Sequence, residues 1–350
     1  MESALERAAD LLGRARFPVF GGLFTDIDGA AAALSLAQKL GGVIDHAASD
    51  GLVRMSQIMR ERGSSPASFG EARNRADVIV IVGSEPLRRD PGLIDKLFPK
   101  AEGLPRPGDR KRQAILLGAK PVRVPRHVSL ISVEQDGQDL PTLIARLGAA
   151  VGERGEAPDD RLAPVAERLK EAAFAVFVYS AADLDEPALF TILETVRHLS
   201  VTTRAATLAL AAPGNGDGVN LCATWTSGLP VRTSFAGPEP EHDARKFAAR
   251  RLIESGEADA LVWIDALVEK SGHWPRGVPT VVLAADGRSG KGADVVIEVA
   301  CAGRDHDAAL YLMPITGIGM VKATAPDHAK PTVASVLGSI FDLIDARDAA

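Results

Sequence analysis

The chain has 350 residues, too many for most single cores, and its 46% hydrophobic and 25% charged residues are ordinary values for a globular protein. A net charge of −6 and a pI of about 5.7 exclude a sequence-wide affinity for nucleic acid or acidic membranes, and 5% aromatic residues argue against base-stacking platforms. Two cysteines, Cys222 and Cys301, exclude a disulfide framework and any multi-cysteine metal or iron–sulfur site.

The acidic, amphipathic opening lacks the basic end and apolar run of a signal peptide. No stretch approaches the roughly 18 apolar residues of a membrane helix, so the cytoplasm is the expected location. Residues 2–14 read as a helix with Leu5, Ala8, Leu11 and Leu12 on one face. Phe17–Phe20 is a short strand leading into Gly21-Gly22. Ile27–Leu40 is a helix closed by Gly41-Gly42, and Val43–Asp45 is the next strand: the start of a parallel α/β unit. Residues 52–76 read as helix broken by Gly63 and Pro66. The run Asp77–Val82 suits a parallel strand buried on both faces. Ala114–Leu117 and Val128–Val133 are further strands and Leu140–Val151 a helix. The polar connector Gly152–Asp160 is a candidate boundary.

Beyond it come helix 161–173, strand Ala175–Tyr179, helix 186–199 and strand Ala205–Leu210. Residues 211–242 are rich in Gly, Pro, Asn and Thr, and too long for a casual loop. Helix 243–255, strands Ala260–Ile264, Val278–Ala284 and Asp294–Val299, and helix 332–346 complete the chain.

Several segments invite a functional reading beside a plainer one. Gly214-Asn-Gly-Asp-Gly-Val-Asn220 follows a strand, where glycines admit a ligand close to the backbone; the plainer reading is a long turn. Gly287-Arg-Ser-Gly-Lys-Gly292 has the wrong spacing for a phosphate loop and reads as a basic surface turn. His306, in Arg304-Asp-His-Asp307, has no second histidine at helical or strand spacing and reads as a capped turn. Arg106, Arg110, Lys111 and Arg112 form a basic knot, which is more often a solvated loop than an anion site. Trp225 suits either stacking on a partner or anchoring a long loop.

The segment Gly214–Gly237 resembles the B subunit of formylmethanofuran dehydrogenase, a molybdopterin-dependent oxidoreductase. So do Leu12–Thr25, Leu40–Ser49, Ser68–Asp77 running into Gly83-Ser-Glu-Pro86, Asp259–Ile264 and Ala293–Glu298, in the same order. The resemblance implies two Rossmann-like parallel-sheet domains, one inserted into the other. The first would hold residues 1–50 and 173–315 and the insert residues 51–172, with 316–350 as a C-terminal segment and no iron–sulfur domain. It also implies a thiolate or selenolate on molybdenum or tungsten just after Ala48-Ser49. Here the chain reads Asp50-Gly51-Leu52, and carboxylate is a poor substitute for a soft ligand. The amino-terminal cysteine cluster of the family is absent as well.

The resemblance therefore implies a subunit without redox chemistry, cofactor or metal, of the kind carried by the formyltransferase/hydrolase complex of methylotrophic bacteria. Its partners would be a formyltransferase, an amidohydrolase-type subunit and a small further subunit. The complex would pass a formyl group from formyl-tetrahydromethanopterin to a methanofuran-type carrier and release formate. No catalytic residue is expected on this chain. Asn215, Gly218, Asn220, Trp225 and Arg232 would line what remains of the cofactor pocket, either as packing or in contact with the carrier. The alternatives are an active molybdenum or tungsten dehydrogenase subunit and a stand-alone nucleotide-binding enzyme. The latter needs a glycine fingerprint that Phe20-Gly-Gly-Leu-Phe-Thr25 does not supply.

Overall fold

The structure is a computed structural model that describes residues 2–100, 112–153, 160–288 and 290–349. In chain order its elements begin α1 (Glu2–Arg14), β1 (Pro18–Phe24), α2 (Ile27–Lys39), β2 (Val43–Ile44), α3 (Ser49–Arg62), α4 (Phe69–Arg75), β3 (Val78–Val82), α5 (Glu85–Arg89) and α6 (Leu93–Leu97). Next come β4 (Arg112–Leu117), β5 (Val128–Val133), α7 (Leu140–Val151), α8 (Ala163–Lys170), β6 (Phe174–Tyr179), α9 (Glu186–Leu199), β7 (Arg204–Ala209) and α10 (Gly216–Ser227). The chain ends with β8 (Thr233–Ser234), β9 (Glu241–His242), α11 (Ala249–Glu254), β10 (Ala260–Asp265), β11 (Thr280–Ala284), β12 (Val295–Glu298), β13 (Ala308–Leu312), β14 (Gly317–Val321) and α12 (Val333–Asp348). None of the described helices is long and apolar enough to cross a membrane.

Two compact units share the chain. One takes residues up to Val53, then Ala212–Leu312 and Gly317 onward; the other takes Arg54–Ala211 and Met313–Thr316. The first is built on a sheet of order β12-β11-β10-β1-β2-β8-β9, parallel from β12 to β2, with β8 and β9 antiparallel at the edge. Its central strands are continuous apolar runs because helices cover both faces. On one face α1, α2, α10 and α12 pack over Phe20, Ile44, Val262, Ile264 and Leu283; on the other, α11 packs with Phe17 and Trp274 against Val19, Leu261 and Trp263. The register of β1 shifts between Gly21 and Phe24. Gly22 has φ +73°, and a Cβ there would lie 2.6 Å from the Ile264 carbonyl oxygen, so glycine is required for β1 and β10 to approach.

The second unit is a five-stranded, fully parallel sheet of order β5-β4-β3-β6-β7. Residues from α7, α8 and α9 cover one face, and residues from α4 and α6 the other. A capping box between Ser68 and Glu71 starts α4.

Strand pairing corrects the expected division of the chain. β6 hydrogen-bonds to β3 and β7 to β6, so residues 174–209 complete the second sheet, and the return crossing falls at 211–212 instead of 172–173. Nor is 316–350 a separate segment: Val333, Val336, Leu337, Ile340 and Ile344 of α12 belong to the core of the first unit. Several elements were not expected: the short helices α5 and α6, α10, β8 and β9 within the stretch 211–242, and the antiparallel hairpin of β13 and β14. The expected helix 243–255 is helical only from Ala249 to Glu254.

Candidate functional site

In the first unit, β1 leads to β2 on one side while β10, β11 and β12 extend to the other, which makes β1 and β10 the switch point of the sheet. Ligands of open α/β sheets bind at the carboxyl ends of such strands. A cavity of about 830 Å³ lies there, lined among others by Gly22, Asp45, His46, Asp50, Arg232 and Trp263.

Three of these residues set its chemistry. Asp45 follows β2 and is buried. Its Oδ1 accepts from the Ser49 hydroxyl at 2.5 Å and from Arg232 Nε at 3.3 Å, and its Oδ2 accepts from the Ala249 amide at 2.8 Å. Burial pushes the Asp45 carboxyl up from its ordinary range, and the Arg232 charge and these donors oppose that. Arg232, with a side chain 12% exposed, donates Nη1 to the Ala244 carbonyl at 2.7 Å and Nη2 to Asp50 Oδ1. Burial alone would lower the guanidinium, but Asp45 and Asp50 outweigh it and hold it above its ordinary value.

His46 is fully buried, with its ring stacked on Phe24 at a centroid distance of 5.2 Å. Its Nδ1 accepts from the Ala48 amide at 3.0 Å, so the neutral ring carries its proton on Nε2 and donates to the Gly214 carbonyl, also at 3.0 Å. Burial lowers its pKa to about 4.

Of the five residues expected in the pocket, Arg232 alone is among those lining this cavity. Asn215 has φ +61° and precedes α10. Its Nδ2 donates to the Thr25 carbonyl at 2.9 Å and its Oδ1 accepts from the Tyr311 amide at 2.8 Å. It pins the end of β1 to the β13–β14 hairpin. Gly218 lies against it: a Cβ would come within 2.3 Å of Asn215 Oδ1. Asn220 Oδ1 accepts from the Val231 amide at 3.1 Å. Trp225 is 58% exposed on the outer side of α10, so it does not anchor a loop in the core.

The other segments resolve differently. Arg112 is buried, donating to the carbonyls of Ala72, Ala76 and Leu97, and does not belong to a solvated loop. Arg106, Arg110 and Lys111 lie outside the described residues, as do 154–159 of the polar connector and Ser289. Arg288 is no basic surface residue: it pairs with Asp265 at 2.5 Å, the two side chains being 11% and 12% exposed. His306 sits in a turn bridged to Ala302, its Nδ1 2.8 Å from the Asp307 carbonyl oxygen. Asp45 and His46 are functional candidates that the sequence reading missed. The available signal is their place directly after a short parallel strand.

No family model matches the chain. The B subunit of the formyltransferase/hydrolase complex Fhc from Methylorubrum extorquens is 32% identical, with 98% of this chain and 94% of that protein covered. The chain belongs to the family of Fhc B subunits. The B subunit of the tungsten-containing formylmethanofuran dehydrogenase 2 of Methanocaldococcus jannaschii is 22% identical, covering 93% of this chain and 79% of that protein. Among solved structures, the crystal structure of the M. extorquens complex FhcABCD with methylofuran matches with a TM-score of 0.88 and 30% identity, covering 100% of this chain and 97% of the matched chain.

The residues present do not fit a tungsten or molybdenum centre. Where the dehydrogenase resemblance implies a soft ligand, this member of the Fhc family has Asp50, whose carboxylate is held by Arg232. Both cysteines are buried elsewhere: Cys222 on α10, with Sγ 3.9 Å from the Ile27 carbonyl oxygen, and Cys301 beside Asp305. Burial pushes both thiols up, away from the thiolate a metal binds. Among the described residues no cluster of three or more His, Cys, Asp or Glu could hold a metal ion.

Proposed function

We propose that this chain is the non-catalytic, structural B component of a formyltransferase/hydrolase complex. The complex would convert formyl-tetrahydromethanopterin to formate by way of a formylated, methanofuran-type carrier. The observation that carries this reading is the end-to-end match, in sequence and in fold, to the B component of such a complex. Its partners are then a formyltransferase, an amidohydrolase-type subunit and a small further subunit, and its location is the cytoplasm. Transfer and hydrolysis belong to the partners. The ion pairs of Arg232 with Asp45 and Asp50 support a scaffolding role, since they commit the polar groups of the cavity to one another. The same ion pairs speak against an active molybdenum or tungsten dehydrogenase.

Reconstitution tests the proposal. The partner subunits are expressed with and without this chain, and formate release from formyl-tetrahydromethanopterin is measured with the carrier present. This chain alone gives no turnover, and its omission lowers the yield of assembled complex. Turnover by the isolated chain, or a complex that forms and works equally well without it, would overturn the reading.

A further inference from the structure

Arg232 adopts a conformation that arginine seldom takes. Its φ is +63°, in the left-handed region, where a residue of this size is strained. Such a backbone persists only where the surroundings fix it. Here the Arg232 amide donates to the Ile44 carbonyl at 2.8 Å, and its carbonyl accepts from the Asp243 amide at 3.3 Å. The side chain then reaches Asp45 after β2, Asp50 at the start of α3 and the Ala244 carbonyl beyond β9. Through Asp45 Oδ2 it is joined to the Ala249 amide at the start of α11. One guanidinium therefore ties together three walls of the cavity: the β2–α3 turn, the β8–β9 arm and the α11 entry. Asp45 lies at the buried end of this network and Asp50, with a side chain 76% exposed, at the open end.

We infer that Arg232 is a built-in cation that organises this cavity by holding its walls together. The oxygen groups around it, two carboxylates and a carbonyl, converge on the guanidinium as ligands converge on an ion. A planar fork of five fixed donors can satisfy several acceptors at once in a way a lysine ammonium cannot. The walls are thereby held without any exogenous ion. The inference rests on the reading of the chain as a subunit without metal chemistry, and adds which residue holds its cavity in shape.

The test is chemical rescue. The full-length chain carrying Arg232→Ala is compared with wild type by thermal denaturation, in low-millimolar guanidinium and in sodium chloride of equal ionic strength. The variant melts about 5 °C or more below wild type, as expected when a buried carboxylate loses its partner. Guanidinium restores at least half of that loss, sodium chloride does not, and wild type responds to neither. Arg232→Lys falls between the two. A variant as stable as wild type, or a loss that guanidinium does not restore, overturns the inference.

Should Arg232→Ala fail to fold, Asp45→Asn, Arg232→Lys and their combination are compared by thermal denaturation as a double-mutant cycle. Losses that are less than additive in the combination support the inference, because both substitutions act on the same ion pair; additive losses contradict it. Stoichiometric molybdenum or tungsten on the wild-type chain would instead sink the functional reading beneath it. Failed rescue in a metal-free chain overturns the inference about Arg232 alone.

Discussion

At the scale of single residues, His46 gives the chain a pH dependence whose sign follows from geometry. Protonating Nδ1 would turn an acceptor into a donor facing the Ala48 N–H, inside a site that already disfavours charge. The unfolded chain takes up this proton near 6.5 and the folded chain only near 4, so the unfolded state binds more protons between those values. Stability is therefore full above about pH 6.5 and falls as the pH drops towards 4, by at most about 3 kcal/mol from this group. Thermal midpoints measured from pH 7.5 to 4 should show this fall, and His46→Gln should flatten it. An unchanged slope in the variant would assign the fall to other groups. Asp305 is held well below the ordinary carboxylate range by Arg304, so it adds a loss only at lower pH, below the histidine limb.

Asn215 supplies a second prediction at this scale. Asn215→Ala removes two hydrogen bonds and leaves alanine at φ +61°. At roughly 1 kcal/mol for each bond and for the backbone, the loss should be about 2–3 kcal/mol in chemical denaturation. Asn215→Gly should lose less, because glycine accepts the backbone without strain.

Among the elements, α10 shows why glycines can be required inside a helix. A Cβ on Gly218 would collide with the Asn215 side chain, whereas one on Gly338 in α12 would meet nothing within 4 Å. Gly218→Ala should therefore destabilise by about 2 kcal/mol. Gly338→Ala should stabilise by up to about 1 kcal/mol, the ordinary helix preference for alanine. Equal effects of the two substitutions in urea denaturation would contradict this packing around α10.

The same helix marks the limit of what could be read from sequence. Doubly buried parallel strands announce themselves as apolar runs, so β3, β6 and β10 were legible within a residue or two. α10 was not, because Gly216, Asp217 and Gly218 fill its first turn with residues of poor helix propensity. Its helicity comes from packing Val219, Cys222 and Ala223 into the core, a spacing that is present in the sequence but short. β8 and β9 have two residues each, too few to show alternation, and β14 is largely half-buried with no apolar run. At the candidate site, Arg232 was legible through a family resemblance. Asp45 and His46 depend on strand order, which no local pattern reveals.

The whole molecule carries two largely parallel sheets, and the polar cavity of the first unit holds Arg232 paired with Asp45 and Asp50. Large apolar side chains such as Trp225 and Met320, 58% and 63% exposed, fit a chain that is covered by partners in use. Isolated chain should thus aggregate or melt below the assembled complex, as light scattering and calorimetry would show; an equally stable monomer would count against an obligate role. The most direct measurement of the scaffold role is native purification of the tagged chain from its own cells, with partners identified by mass spectrometry and molybdenum and tungsten measured in the same sample. A scaffold of this kind should bring down a formyltransferase and an amidohydrolase-type subunit in fixed ratio, without stoichiometric molybdenum or tungsten. A chain that elutes alone, or one carrying either metal at one per chain, would contradict that role.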